Sequence, residues 1–297
     1  MTLPEKARYS WGGDEFLLVE IAPDMSLEAN FIASWIAAAL VDRGLPGIID
    51  ICPANNALLV RFNPDELKYT TLKATIEELE VEVHKSARQE LETRIIEMPV
   101  WYADPYTAET MTRFREGYHQ RPEGSDIDYA AEVNGNANAE EFIRRHHNSP
   151  WMVSMVGFVA GLPWLYQLAP RERQIELPKY KSPRTDTPPL TIGMGGCFTA
   201  HYSVRGAGGY QMLGITPTPI FDPEQELPDF ADDMVLFRTG DIVKYRPVEE
   251  AEYRELEAEV AAGTFRYKQA PVTFKLADAV ADYDGYNRTL LEALDGA

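Results

Sequence analysis

The sequence predicts an α+β protein built in two parts, and three observations predict it. The first hundred residues alternate short apolar strands with helix-period segments in the order β-α-β-β-α-β. From Trp151 to Pro247 the chain runs instead through many short β-like stretches cut by Pro, Gly and Asp. Residues 248–297 then return to acidic, helix-forming sequence.

Each element has a local reason. Residues 16–21 (FLLVEI) read as a strand after the turn former Gly12-Gly13-Asp14. Ser26 offers an N-cap, and Phe31, Ile32, Trp35, Ile36, Ala39 and Leu40 repeat at helical spacing until Gly44 stops the helix. Residues 47–51 and 57–62 read as two strands joined by Pro53, Asn55 and Asn56, and a second helix follows on Leu67, Leu72, Ile76 and Leu79. Residues 94–100 (RIIEMPV) are expected to close this set as its last strand, giving a ferredoxin-like arrangement over residues 1–96.

Beyond Pro99, helices are expected near 107–119 and 137–147, with a short one between them in GSDIDYAAEVNGNAN that ends at Asn134-Gly135. Short strands are expected in WMVSMVGF, LTIGMGG, TAHYSV, YQMLGIT, MVLF and DIVKYRPV, a spacing that suits a small barrel or sandwich over residues 97–247. Residues 248–297 follow these two parts as a helical extension holding a helix at 249–261, a strand at 272–275 and a helix near 279–294.

Composition limits what this protein does. With 47 acidic against 28 basic residues and a net charge of −19, nucleic acid and anionic membranes are not the expected partners. Two cysteines, Cys52 and Cys197, without CxxC spacing give neither a disulfide framework nor a thiolate metal site, and no other metal-ligand spacing is evident. The start lacks the apolar core of a signal peptide and no apolar run is long enough for a membrane span, so a cytoplasmic location is expected.

Candidate chemistry concentrates between Lys179 and Thr216. Lys179, Tyr180 and Arg184 form a basic cluster in an acidic chain, readable as an anion clamp or as a solvated loop pairing with Glu172 and Glu176. The pairs Gly195-Gly196 and Gly208-Gly209 read either as backbone nests for an anion or as tight turns. His146 ends a helix, and no partner carboxylate stands at diagnostic spacing for it to act as a base. His201 lies within a strand between the glycine pairs, where a structural role is expected. Cys197 reads as a small buried hydrophobe, or as a thiol if a cation lies near it. GFVAGLPWL at 157–165 reads as an apolar loop lining a pocket or as plain core.

The phrases KYKSPRTDTP, IGMGG and RGAGGYQMLGIT together resemble the carboxyltransferase portion of urea carboxylase, and MPVWYADP and DIDYAAEVNG extend the likeness upstream. TGDIVKYRPV and the sequence after it extend the likeness downstream. His146, Trp151, Val153 and GFVAGLPWL are similar to a pattern of the wider group: allophanate hydrolase subunit 1, the B-type subunit of 5-oxoprolinase and the Kip-type kinase inhibitor. The sequence departs from these relatives at Ala160 and Ala207, where they carry Pro, and at Ile215, where they carry Arg.

The resemblance implies a cyclophilin-like β-barrel for residues 97–247 and a cleft shared with a larger partner, similar to allophanate hydrolase subunit 2 or the C-type subunit of 5-oxoprolinase. It implies the small subunit of a split, biotin-dependent carboxyltransferase acting on an amide or urea-type nitrogen. No cofactor is then bound by this chain alone: biotin on a carrier protein and ATP are handled by partners, and the chain is inactive by itself. Lys179 and Arg184 would hold the transferred carboxyl group, while Tyr210 and Gln211 would position the acceptor amide. Tyr180, Gly195, Gly196, His201, Gly208, Gly209 and His146 complete the implied substrate-binding set. The alternatives are the B-type subunit of an ATP-dependent 5-oxoprolinase or allophanate-hydrolase-type amide hydrolase, and a Kip-like protein that binds a histidine kinase.

Overall fold

The computed structural model describes residues 3–4, 6–85 and 90–297. It divides into two compact units, one of residues 1–90 with 275–277, the other of 91–274 with 278–297.

In the first unit, β1 (Arg8–Gly12), β2 (Phe16–Glu20), β3 (Ile48–Ala54) and β4 (Ala57–Phe62) form an antiparallel sheet in the order β1-β2-β4-β3. Helix α1 (Leu27–Arg43) begins at Ser26, whose hydroxyl accepts from the Ala29 N–H, and ends at Gly44 in the left-handed conformation. Helix α2 (Tyr69–Lys85) packs on α1. Their apolar faces meet the inward residues of the strands, with Ile36, Leu58, Val60 and Ile76 fully buried.

The order of this unit is therefore β-β-α-β-β-α, which corrects the predicted β-α-β-β-α-β. Residues 94–100 do form a strand, within β5 (Glu90–Tyr102), but β5 pairs in the sheet of the second unit. Residues 95–100 explain the difference, because Ile95, Ile96, Met98 and Val100 are all fully buried. A strand buried on both faces needs cover on both sides, unlike the one-sided strands of the first sheet. The fourth strand is supplied by β1, whose partner register runs from Arg8 opposite Glu20 to Gly12 opposite Phe16.

The second unit holds helices α3 (Pro105–Arg113), α4 (Asp126–Val133) and α5 (Ala139–Asn148), followed by strands β6 (Trp151–Val156), β7 (Pro163–Gln167), β8 (Arg184–Thr187), β9 (Thr191–Gly195), β10 (Phe198–His201), β11 (Gly206–Gly208), β12 (Gln211–Ile215) and β13 (Ile242–Pro247). Helix α6 (Glu250–Ala261), strand β14 (Gln269–Lys275) and helices α7 (Leu276–Ala281) and α8 (Tyr283–Asp295) follow. Its large sheet runs β12-β9-β10-β7-β6-β13-β5-β14, and β12 also pairs with β5. Seven strands thus form a run of pairings that returns on itself, with β5 and β13 parallel and the remaining described pairs antiparallel. Strands β8 and β11 form a separate two-stranded ladder.

Residues 234–237 (MVLF), expected as a strand, contribute only one isolated bridge, Val235 to Phe221. Leu236 and Phe237 are buried in the main core, so this apolar run reflects burial rather than pairing. Residues 163–165, expected within a loop, open β7, because the turn at 157–161 is shorter than the apolar run suggests.

Removing the cap of α1 by Ser26→Ala is expected to lower stability by about 1 kcal/mol. A urea unfolding curve followed by far-ultraviolet circular dichroism checks this, with an unchanged midpoint as the contrary result.

Candidate functional site

Five of the predicted residues, Lys179, Tyr180, Gly208, Gly209 and Tyr210, line one pocket of the second unit, with a volume of about 530 Å³. Trp164 of β7, Lys179 and Tyr180 of the segment before β8, Tyr202 after β10, and Gly208, Gly209 and Tyr210 before β12 line it. Phe158 stands at its edge, 71% exposed and in the left-handed region at φ 80. A bulky residue held there is strained and persists only where its surroundings fix it. The next turn residues are tied in, since the Ser203 hydroxyl donates to the Ala160 carbonyl.

Lys179 is exposed, and its ammonium lies 5.2 Å from the ring centre of Tyr210 and 5.8 Å from that of Trp164. These are cation–π distances. It forms no ion pair with a carboxylate among the described residues, and Glu176 pairs with Arg171 instead. The reading of a solvated loop neutralised by Glu172 and Glu176 thus does not describe Lys179.

Arg184 lies elsewhere. It is fully buried behind the pocket wall, with Nη1 donating to the Tyr210 carbonyl at 2.8 Å and Nη2 to Thr187 Oγ1 at 3.3 Å. Its guanidinium stacks 4.4 Å from the Tyr180 ring, and its Nε has no partner. A residue so placed supports the wall and projects positive charge through it rather than gripping a ligand directly.

Two of the predicted glycines, Gly195 and Gly208, are spaces for rings. A Cβ on Gly195 would stand 2.5 Å from Tyr210 Cδ1, and one on Gly208 would meet the Tyr202 hydroxyl. Gly196 turns the chain between β9 and β10. Gly209 supplies the carbonyl that receives the Tyr180 N–H at 2.7 Å. Tyr210 itself is 6% exposed and its hydroxyl is buried without a partner. Burial pushes the Tyr210 and Tyr180 phenols well above their ordinary value, so both stay protonated at neutral pH.

Three predicted residues turn inward. Gln211 is fully buried: its Oε1 lies 2.8 Å from His119 Nε2 and its Nε2 donates to the Pro178 carbonyl at 2.8 Å. His146, placed near the end of α5, is fully buried, with Nδ1 2.8 Å from the Tyr102 hydroxyl and Nε2 3.0 Å from Thr199 Oγ1. His201 is also buried, with Nε2 2.6 Å from the Tyr245 hydroxyl and Nδ1 unpartnered. The rings of His146 and His201 both lie against Tyr245. Burial depresses both, His146 well below the usual histidine value and His201 to about 3. Cys197 is raised to about 11 by burial and then by Glu176, which keeps it a thiol at neutral pH.

Sequence reasoning misses the residue that organises the wall. Asp126, fully buried at the start of α4, accepts from the Tyr180 hydroxyl at 2.9 and 2.8 Å, from the Met212 N–H at 2.8 Å and from Arg115 at 3.2 Å. Its one local signal is the capping box that starts α4, made by Ser125 and Asp128. Trp164 shows in the sequence only as part of an apolar run, and His119 carries no spacing that marks it.

Residues 7–231 match the family described as carboxyltransferase domain, subdomain C and D. The chain belongs to this family of carboxyltransferase domains. It is 28% identical over 257 residues to the B-type subunit of 5-oxoprolinase from Bacillus subtilis, covering 83% of this chain and 95% of that protein. It is 24% identical over 297 residues to urea amidolyase of Lachancea kluyveri, covering 99% of this chain but 16% of that longer protein. Its fold is similar to the crystal structure of Kluyveromyces lactis urea carboxylase, with TM-score 0.84 and 22% identity, over 100% of this chain and 27% of that one.

Among the described residues no three His, Cys, Asp or Glu stand together as a metal site, and no helix is long and apolar enough to cross a membrane.

Two outcomes are expected. Gly195→Ala forces the Tyr210 ring to move and costs about 1–3 kcal/mol, visible as a lower urea midpoint with altered near-ultraviolet circular dichroism. Because His146 and His201 bind protons less readily in the folded than in the unfolded chain, their stabilising contribution is complete above about pH 6.5. It declines as pH falls from there towards 3, by up to ~1.4 kcal/mol per pH unit for each histidine. Unfolding free energies measured at pH 7.5 and 5.5 should fall accordingly; equal values would contradict the neutral, buried assignment.

Proposed function

We propose that this chain is the small subunit of a split, biotin-dependent carboxyltransferase of the urea carboxylase kind, acting on an amide or urea-type nitrogen. Residues 97–247 carry the site, on the cyclophilin-like barrel that the self-closing run of strand pairings supports, with 1–96 and 248–297 flanking it in sequence. The observation that carries the reading is the Lys179 ammonium, unpaired with any carboxylate among the described residues, at an aromatic pocket built from the phrases shared with the family. A flat, apolar body bearing one anionic carboxyl group fits such walls and such a charge.

Biotin on a carrier would supply the activated carboxyl group when bound there. Within this chain, Trp164, Tyr202 and Tyr210 would flank it and exclude water, and Lys179 would neutralise charge on the carboxyl oxygens. Arg184 would contribute its field through the wall and hold the Tyr210 carbonyl. Tyr180, Gly208 and Gly209 complete the lining. Gly195 serves by admitting the Tyr210 ring, while Gly196, Gln211, His146 and His201 act from behind. ATP would be handled by a partner, and the acceptor nitrogen would be brought by the larger subunit at the pocket mouth, in the cytoplasm.

A second reading has its own support. The match to the 5-oxoprolinase component covers 95% of that protein, a subunit of comparable extent, which favours a subunit of an amide hydrolase. The match to urea amidolyase takes in 99% of this chain, including the helical tail, and favours the carboxyltransferase.

The test is co-purification with a larger carboxyltransferase subunit, followed by biotin-dependent carboxylation and lactam hydrolysis assays on the complex. Carboxylation without lactam turnover supports the first reading, and the reverse supports the second. Lys179→Met, which keeps the stem and removes the charge, is expected to lower carboxyl transfer by about 10²-fold or more with an unchanged melting temperature. Undiminished transfer would remove Lys179 from the site.

A further inference from the structure

We propose that His119 and Gln211 are positioning residues that fix the backbone of Lys179 and so seat its ammonium over Trp164 and Tyr210. Its functional meaning rests on the reading of the pocket given above; the seat itself rests on geometry alone.

The relay starts from a backbone group. The Arg121 N–H donates to His119 Nδ1 at 2.9 Å, while the Arg121 carbonyl is further from that nitrogen at 3.2 Å. Nδ1 therefore carries the lone pair, and the ring proton sits on Nε2. Nε2–H donates to Gln211 Oε1 at 2.8 Å, and this orients the amide so that Gln211 Nε2–H reaches the Pro178 carbonyl at 2.8 Å. Both side chains are buried, Gln211 completely and His119 to within 5%. Burial shields these bonds from solvent, and each missing partner would leave a buried polar atom unsatisfied.

Pro178 is the residue before Lys179, and the next links are also fixed. Gln120 Nε2 donates to the Lys179 carbonyl, the Tyr180 N–H donates to the Gly209 carbonyl at 2.7 Å, and the Tyr180 hydroxyl is held by Asp126. The peptide groups on both sides of Lys179 are thus clamped, while its ammonium lies over the two rings. The clamped backbone fixes the point from which the side chain leaves, and the two rings hold its far end. Burial lowers the affinity of His119 for a second proton, which keeps Nδ1 available as the acceptor that the relay needs. The groups facing that ring are Asp126 at 3.5 Å, the Tyr180 and Tyr129 rings, and Arg115.

The experiment needs neither substrate nor partner. The lysines of the full chain are reductively dimethylated with a carbon-13 label, which preserves their charge, and the Lys179 resonance is assigned by its loss in Lys179→Arg. In the parent it should be displaced upfield by the Trp164 and Tyr210 rings. In Gln211→Met and His119→Phe it should move to the position of exposed lysines, with the fold retained by circular dichroism. Gln211→Glu keeps the size and the acceptor but loses the donor to Pro178, so it should lose the displacement too; it provides the readout if the Met variant does not fold. A parent resonance without upfield displacement, or a displacement unchanged in the folded variants, overturns the proposal. A complex that never transfers carboxyl groups would overturn the functional reading and leave this result standing.

Discussion

The wall of the pocket depends on one buried carboxylate. Asp126 brings α4, the segment before β8 and the start of β12 to a single point through the Tyr180 hydroxyl, the Met212 N–H and Arg115. A carboxyl group with no exposure is tolerable only because several donors converge on it. Tyr180, thus held, becomes the platform on which the Arg184 guanidinium stacks, and Arg184 in turn holds the carbonyl of Tyr210. Lys179, between Pro178 and Tyr180, inherits its place from the same group of bonds. Deleting Asp126 would remove a partner from a half-buried cation, a buried phenol and a backbone amide together.

Glycine and aromatic residues divide the labour around this point. Gly195 and Gly208 are empty where Tyr210 and Tyr202 are full, so the aromatic walls lie closer to the strands than any side chain would allow. The result is a pocket whose apolar surface is supplied by rings, with fixed positive charge both at its edge and behind it. Charge placed in that way favours an anionic ligand without requiring each cation to touch it.

Much of this is legible from local patterns. Ser26 and Gly44 bound α1 correctly because capping is a short-range effect, and the hairpin of β3 and β4 follows from Asn55 and Asn56. The destination of residues 94–100 is not legible. An apolar run forms a strand for local reasons, but the choice of sheet is made by β13 and β12, more than a hundred residues downstream. The same holds for the site. Lys179, Tyr180 and Tyr210 stand out by charge, aromatic character and neighbouring glycines, and they do line one pocket. Arg184 and Gln211 stand out equally, yet they face inward, because nothing in a spacing of residues says which side of a loop a long side chain takes. Asp126 and His119 act only through partners distant in sequence, so a linear reading gives them no weight.

The returning ladder of the second unit also has a temporal meaning. Strand β5 is synthesised early, but two of its neighbours are β12 at Gln211–Ile215 and β13 at Ile242–Pro247. At ribosomal rates of about 5–20 residues per second, β5 waits roughly seven to thirty seconds for its parallel partner. Until then a strand whose Ile95, Ile96, Met98 and Val100 are all buried in the finished fold lacks that partner. Pairings that distant in sequence close slowly as well. The newborn chain therefore carries an apolar strand with an unpaired edge until residue 247 has been made.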